Sequence, residues 1–344
     1  MRKEVLAVGC ALMVFCGCGK NNAAQHYESG WVAMEKKDYT TAVNEFQQVI
    51  DQNSRLAESY RAEGIAYYSE KAYPEAIAAF SRSLNNMDDP DKEFKKDVQF
   101  YLAQARMDYG EVDKAIEVYS EILKAGEDEQ AFFLRGKAYI SMEDYKNAEK
   151  DFQRALEGCE DYNLYINIYQ IYVDHNKAVD GDAYLKMALE LEPQDGEDCY
   201  HRGRIYEYDK NYEAARDELK TAMEQGYEDA MLLLGRVYLE MEDPASARSM
   251  YQEYLQKSEQ GAKAYNGLAM CDIYDGAYDS ALENIAQGLK ENSKEDEQGL
   301  LYNEIVAYEY KRDFATAKEK MKIYLEQYPE DEAALRENEF LSTR

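Results

Sequence analysis

Between Tyr60 and Leu84, apolar and small residues recur with helical spacing in two short runs. In the first run, Gly64 stands one turn before the aromatic Tyr67. A break follows near Lys71. The second run opens with Tyr73-Pro74 and continues through Ala76, Phe80 and Leu84 in steps of four. Apolar side chains every three to four positions share one face of an α-helix. Proline in the first turn loses no hydrogen bond, because that N–H has no intrahelical partner in any case. The stretch therefore predicts two short helices packed as a hairpin. Small residues at Gly64 and Ala76 let the helices approach closely, with Tyr67 and Phe80 filling the space beside them.

The same pattern runs along the whole chain. Taking Ala76 as the index, the matching positions are Ala42, Ala76, Ala115, Ala148, Gly181, Ala215, Ala247, Ala281 and Ala317, at intervals of 32 to 39 residues. Twelve residues earlier stand Gly30, Gly64, Ala103, Gly136, Tyr169, Gly203, Gly235, Ala269 and Ile305. Four residues after the index stand Phe46, Phe80, Tyr119, Phe152, Leu185, Leu219, Tyr251, Ile285 and Met321. Three before it, six of nine units are aromatic: Tyr39, Tyr73, Tyr145, Tyr212, Tyr278 and Phe314.

These columns, with their Gly-x-x-Tyr … Ala-x-x-x-Phe core, resemble the tetratricopeptide repeat (TPR), whose period is 34 residues. The resemblance implies an all-α fold, a right-handed superhelical solenoid of about nine helix-turn-helix units. They fall near 23–56, 57–90, 96–129, 129–162, 162–195, 196–227, 228–261, 262–297 and 298–331. A helix over 332–344 is expected to cap the last open face, as solenoids require. The match has departures. The Trp and Leu of the first helix are mostly replaced, and the closing Pro survives only at Pro193 and Pro329. The fifth unit carries Tyr169 where glycine is expected and Gly181 where alanine is expected, which suggests wider helix spacing there. An insertion from Asp88 to Glu93 is expected to lengthen the loop leaving the second helix pair.

Length agrees with a repeat array, since 344 residues exceed one ordinary compact core. An apolar fraction of 45% supports folding despite 32% charged residues. The 32 tyrosines, against 10 Phe and 1 Trp, suit a shallow core in which a ring is buried and its hydroxyl stays wet. A net charge of −29 argues against nonspecific binding to nucleic acid or to an anionic bilayer surface, and favours solubility.

The N-terminus carries a different signal. Met1-Arg2-Lys3 is basic, and the apolar run from Val5 to Phe15 is broken only by Gly9 and Cys10. It is too short for a permanent transmembrane helix and fits the core of an export signal. The sequence Phe15-Cys16-Gly17-Cys18-Gly19 resembles a bacterial lipobox, although Phe15 and Cys16 depart from the usual Leu and Ala or Ser. The resemblance implies removal of residues 1–17, lipidation of Cys18 with palmitate among its acyl chains, and a tether over 18–22. More than one acyl chain on a cysteine gives stable anchoring. The expected location is the extracytoplasmic face of a cell membrane, the outer membrane if the cell has one.

Other motifs fail on inspection. The segment Asp89-Pro90-Asp91-Lys92-Glu93 lacks the glycine and the bidentate glutamate of a calcium loop, having Phe94 and Phe100 instead. His26, His175 and His201 are too dispersed for a metal triad. Cys159, Cys199 and Cys271 read as small core residues, not bridges. No nucleophile elbow, phosphate loop or zinc-protease motif occurs. The expectation is a non-enzyme without cofactor or metal.

In TPR proteins the first helix of each pair lines the concave face, where ligand peptides usually lie. The fifth and ninth positions of each unit give a floor of Tyr27, Trp31, Arg61, Ile65, Phe100, Gln104, Phe133, Lys137, Ile166, Gln170, Tyr200, Arg204, Leu232, Arg236, Asn266, Met270, Tyr302 and Val306. None is acidic and four are basic, in a strongly acidic chain. Apolar residues there also serve helix packing; basic ones need another reason. The candidate groove residues are Arg61, Phe100, Phe133, Lys137, Gln170, Tyr200, Arg204 and Arg236. Guanidinium groups fork onto carboxylates and aromatics anchor apolar side chains, so the groove suits a peptide or protein segment with acidic and aromatic residues. The paired Lys and Asn of the carboxylate-clamp subgroup are absent, since Ile65 follows Arg61. The leading expectation is a membrane-anchored interaction scaffold. The alternatives are a solute-, glycan- or peptide-binding lipoprotein for uptake, and a subunit of an envelope assembly complex.

Overall fold

The computed structural model describes residues 22–87, 91–258, 260–291 and 293–344. The export signal and Cys18 lie outside the described residues. Every regular element among those described is a helix. The chain divides into two compact units, with the boundary in the sequence between Asp182 and Ala183.

The first unit contains α1 (Asn22–Glu35), α2 (Tyr39–Asp51), α3 (Leu56–Ser69), α4 (Tyr73–Asn85), α5 (Lys92–Tyr109), α6 (Val112–Ala125), α7 (Glu129–Ser141), α8 (Tyr145–Ala155) and α9 (Tyr162–Asp174). Helix α10 (Ala178–Leu189) crosses the boundary. The second unit contains α11 (Gly196–Tyr208), α12 (Tyr212–Glu224), α13 (Ala230–Glu240), α14 (Pro244–Lys257), α15 (Ala262–Tyr274), α16 (Tyr278–Lys290), α17 (Glu297–Tyr310), α18 (Phe314–Gln327) and the closing helix α19 (Glu332–Ser342). Each unit is a solenoid of consecutive hairpins.

One local device makes every hairpin. The first helix ends on a left-handed residue, in order Lys37, Lys71, Gly110, Glu143, Asn176, Lys210, Glu242, Gly276 and Arg312, with φ between 56° and 89°. The next residue's N–H then reaches back five positions, as from Ala72 to the Tyr67 carbonyl at 2.9 Å and from Asn211 to that of Tyr206 at 2.8 Å. This is the Schellman ending, which satisfies carbonyls the helix leaves orphaned. The same residue then caps the following helix: Asp38, Asp144, Asn211, Asp243 and Asp313 each accept an N–H three residues on. One residue thus closes one helix and opens the next, which keeps the turn to two or three residues and the helices antiparallel.

Packing follows the columns. The eight index alanines from Ala42 to Ala317 are all fully buried. Phe80 lies on Gly64, where a Cβ would fall 2.6 Å from its Cε1. The fifth hairpin reverses the sizes without losing the contact. Gly181 leaves room for the large Tyr169, since a Cβ there would lie 3.1 Å from Cδ2 of that ring. The apolar core is a series of clusters between neighbouring hairpins, as expected of a quasi-one-dimensional array.

The insertion differs from the sequence expectation. Lys92 and Glu93 belong to α5 and do not extend a loop, because Asp91 caps that helix through the Glu93 N–H; residues 88–90 lie outside the described residues. The closing helix caps the array as expected, burying Ala334 and Leu341 against Met321 and Tyr324 and leaving Leu335 and Phe340 44% and 41% exposed. Among the cysteines, Cys199 and Cys271 are buried, whereas Cys159 is only half-buried.

First helices also touch the first helix of the next pair: α3 with α5 and α7 with α9 in one unit, α11 with α13, α13 with α15 and α15 with α17 in the other. In the second unit they therefore form a continuous face from α11 to α17, whereas in the first they meet as two separate pairs.

Candidate functional site: the inner face of the second unit

A cavity of about 770 Å³ opens on the first-helix face of the second unit. Five expected floor residues share its lining: Tyr200 from α11, Leu232 and Arg236 from α13, and Asn266 and Met270 from α15. Glycines in the wall admit larger neighbours. The Tyr251 ring, from α14, packs against both Gly235 and Gly267. Gly299, on α17, sits against Asn266, where a Cβ would lie 3.3 Å from Nδ2. Asn266 is held by Asn303, whose Nδ2 donates to its Oδ1 at 2.8 Å.

The cations of this lining are already compensated. Arg236 binds Glu207 at 2.6 Å, and Lys263 lies 3.7 Å from Glu295 and 3.9 Å from Asp296. Asp229 and Asp296 cap α13 and α17 by position but make no side-chain cap hydrogen bond. Asp296 accepts from the Ser293 hydroxyl at 2.7 Å. Tyr200 packs its ring 5.0 Å from that of Tyr227, and burial pushes its phenol up, opposed by Arg204, Arg236 and Lys263 and reinforced by Asp229. Burial and nearby Glu197 push Tyr227 up to about 12. Both phenols stay neutral hydrogen-bonding groups across the physiological range.

The remaining expected groove residues are distributed differently. Arg61 forms an ion pair with Asp97 of α5 and lies over the Tyr101 ring at 5.3 Å, so its guanidinium joins α3 to α5. Phe100 and Phe133 pack their rings on Tyr119 and Phe152, at 6.3 and 6.1 Å. Gln170 donates to Asp174 on its own helix at 2.8 Å. Lys137 is exposed. Arg204 approaches His201 Nδ1 at 3.4 Å and stands 5.9 Å from the Tyr200 ring centre.

The acidic lining was not foreseen. Asp97, Asp229, Lys263 and Gly299 occupy the second position of their units, facing the fifth position of the unit before. Counting only fifth and ninth positions hides these partners. The signal was present in the opposite charges of Arg61 and Asp97, and in the absence of a cation opposite Asp229 at Tyr200. Among the described residues, no group of three or more His, Cys, Asp or Glu side chains could hold a metal ion. No helix there is long and apolar enough to cross a membrane.

Comparison with known proteins agrees with this architecture. One tetratricopeptide repeat model matches residues 27–91, 200–262 and 232–297, and a second matches 129–161. Together they take in more than half of the chain, which belongs to the tetratricopeptide repeat family. No curated protein matches the sequence. Among solved structures, the chain is similar to YrrB, described as a TPR protein with an unusual peptide-binding site. The identity is 26% over 55% of this chain and 97% of that one, with a TM-score of 0.36. A TPR protein from Parabacteroides merdae is 16% identical over 83% of this chain and 99% of its own, at a TM-score of 0.45. Yeast Tom70 is 15% identical over 89% of this chain and 78% of its own, at 0.49.

Proposed function

We propose that this chain is a non-catalytic scaffold that holds a peptide or protein segment on the inner face of its second unit. The observation that carries the reading is the cavity shared by Tyr200, Leu232, Arg236, Asn266 and Met270. Pockets that combine apolar walls with a few placed polar groups are the usual sites of recognition. We further propose that the scaffold is a lipoprotein, anchored through Cys18 on the extracytoplasmic face of a membrane. The basic start, the short apolar run and the Gly17-Cys18 pair support this. Partners would then be other envelope or secreted proteins.

Photo-crosslinking on intact cells tests the first part. A photoreactive residue replacing Met270, which lines the cavity and is 40% exposed, should capture a defined partner. The same residue replacing Val179, 83% exposed on α10, should not. Combining Tyr200→Ala with the Met270 probe should abolish capture, because Tyr200 lines the same cavity; identical products from all three proteins would discard the groove. Palmitate label should follow Cys18, and label retained in Cys18→Ala would end the lipoprotein reading.

A further inference from the structure

We infer that the cavity of the second unit selects segments bearing lysine or arginine, the opposite of the acidic ligand its basic floor positions suggest; this rests on the peptide-binding reading above. Ten aspartate or asparagine N-caps among the described residues turn a side-chain oxygen onto their own helix, from Asp38 to Asp331. Asp229 and Asp296 do not, and both line this cavity. Their carboxylates are withheld from the bond that aspartate ordinarily makes at a helix start. The lining also holds Glu291 and Glu295, giving four carboxylates against Arg236 and Lys263. Glu207 already neutralises Arg236, so the cavity is net negative.

The whole chain, at −29, adds a field of the same sign, which raises the local concentration of cations and speeds their encounter. Leu232, Leu233, Tyr254 and Met270 supply apolar wall beside the acids. A lysine or arginine side chain has an apolar stem and a charged head, which fits such a lining. The opposing consideration is that the starts of α13, α15 and α17 also reach the cavity, and helix starts favour anions. Asp229 and Asp296 stand on two of those three starts and offset that field. The occupant is therefore an extended basic segment with neighbouring apolar residues.

Selection of a random peptide library against the full chain tests this. Peptides eluted from the wild type should be enriched in Lys and Arg, and their affinity should fall in high salt. Asp229→Asn combined with Asp296→Asn should weaken them roughly tenfold, as expected for losing close charge contacts. Unchanged helical circular dichroism and melting would confirm that the variant folds. Asp229→Lys with Asp296→Lys should turn selection toward acidic peptides. Acidic or neutral winners from the wild type that are lost in Tyr200→Ala would overturn the charge preference and leave the groove standing. Winners indifferent to Tyr200→Ala and Met270→Glu would remove both readings.

Discussion

The junctions α3/α5 and α11/α13 occupy the same place in the repeat yet have opposite fates. In the first, the fifth-position Arg61 meets Asp97 at the second position of the next unit, and the two close into an ion pair above Tyr101. In the second, the same two positions hold Tyr200 and Asp229, and no cation closes the gap; both residues line a cavity instead. One geometry therefore yields a structural clasp or an open cavity, depending on a single side chain. A floor position identifies where a side chain points, and its partner one unit on decides whether it is free to bind.

This contrast can be broken from either side. The largest effect on stability should come from Phe80→Ala, beneath the clasp, because Phe80 fills the space over Gly64 and stacks on Tyr101 at 5.5 Å. Denaturant unfolding should show a loss of about 3–5 kcal/mol, the usual cost of deleting a buried aromatic. Next, Tyr200→Arg converts the open junction into the closed one. A guanidinium pairing with Asp229 should reduce affinity for a basic peptide about tenfold, equivalent to about 1.4 kcal/mol, with folding intact. Arg61→Met should do the reverse, costing about 1 kcal/mol or less because Asp97 is 37% exposed, and leaving peptide affinity unchanged.

The smallest expected effect concerns the far end of the second unit. Burial and the facing Glu337 of α19 push Glu309 on α17 up to about 7 from its ordinary 4.5. Its Oε1 has no hydrogen-bond partner among the described residues. A carboxyl raised in the fold favours the protonated state. Its contribution is complete below 4.5 and is lost as pH rises through about 7. Glu309→Gln should therefore raise the melting temperature by a few degrees at pH 8 and leave it unchanged at pH 4. A wild-type melting curve independent of pH across that window would contradict the assignment.

Most of the fold was legible because its determinants are local and repeated. The index alanines, the aromatic four residues later and the small residue twelve earlier each recur unit after unit, so their agreement reports packing directly. The size exchange at Tyr169 and Gly181 was visible too, but its consequence was not: the two changes compensate each other. The site was harder to read. Arg61 looked free because Asp97 lies 36 residues away. Asp229 and Asp296 fall outside the fifth and ninth positions, and a sequence does not show whether an aspartate at a helix start makes its cap bond.

Hydrogen exchange of the full chain, with and without saturating selected basic peptide, tests the central claim most directly. Binding on the inner face of the second unit predicts slowed exchange in the first turns of α13, α15 and α17, with α3 and α5 unchanged. Protection confined to α3 and α5, or to the outer second helices, would contradict it.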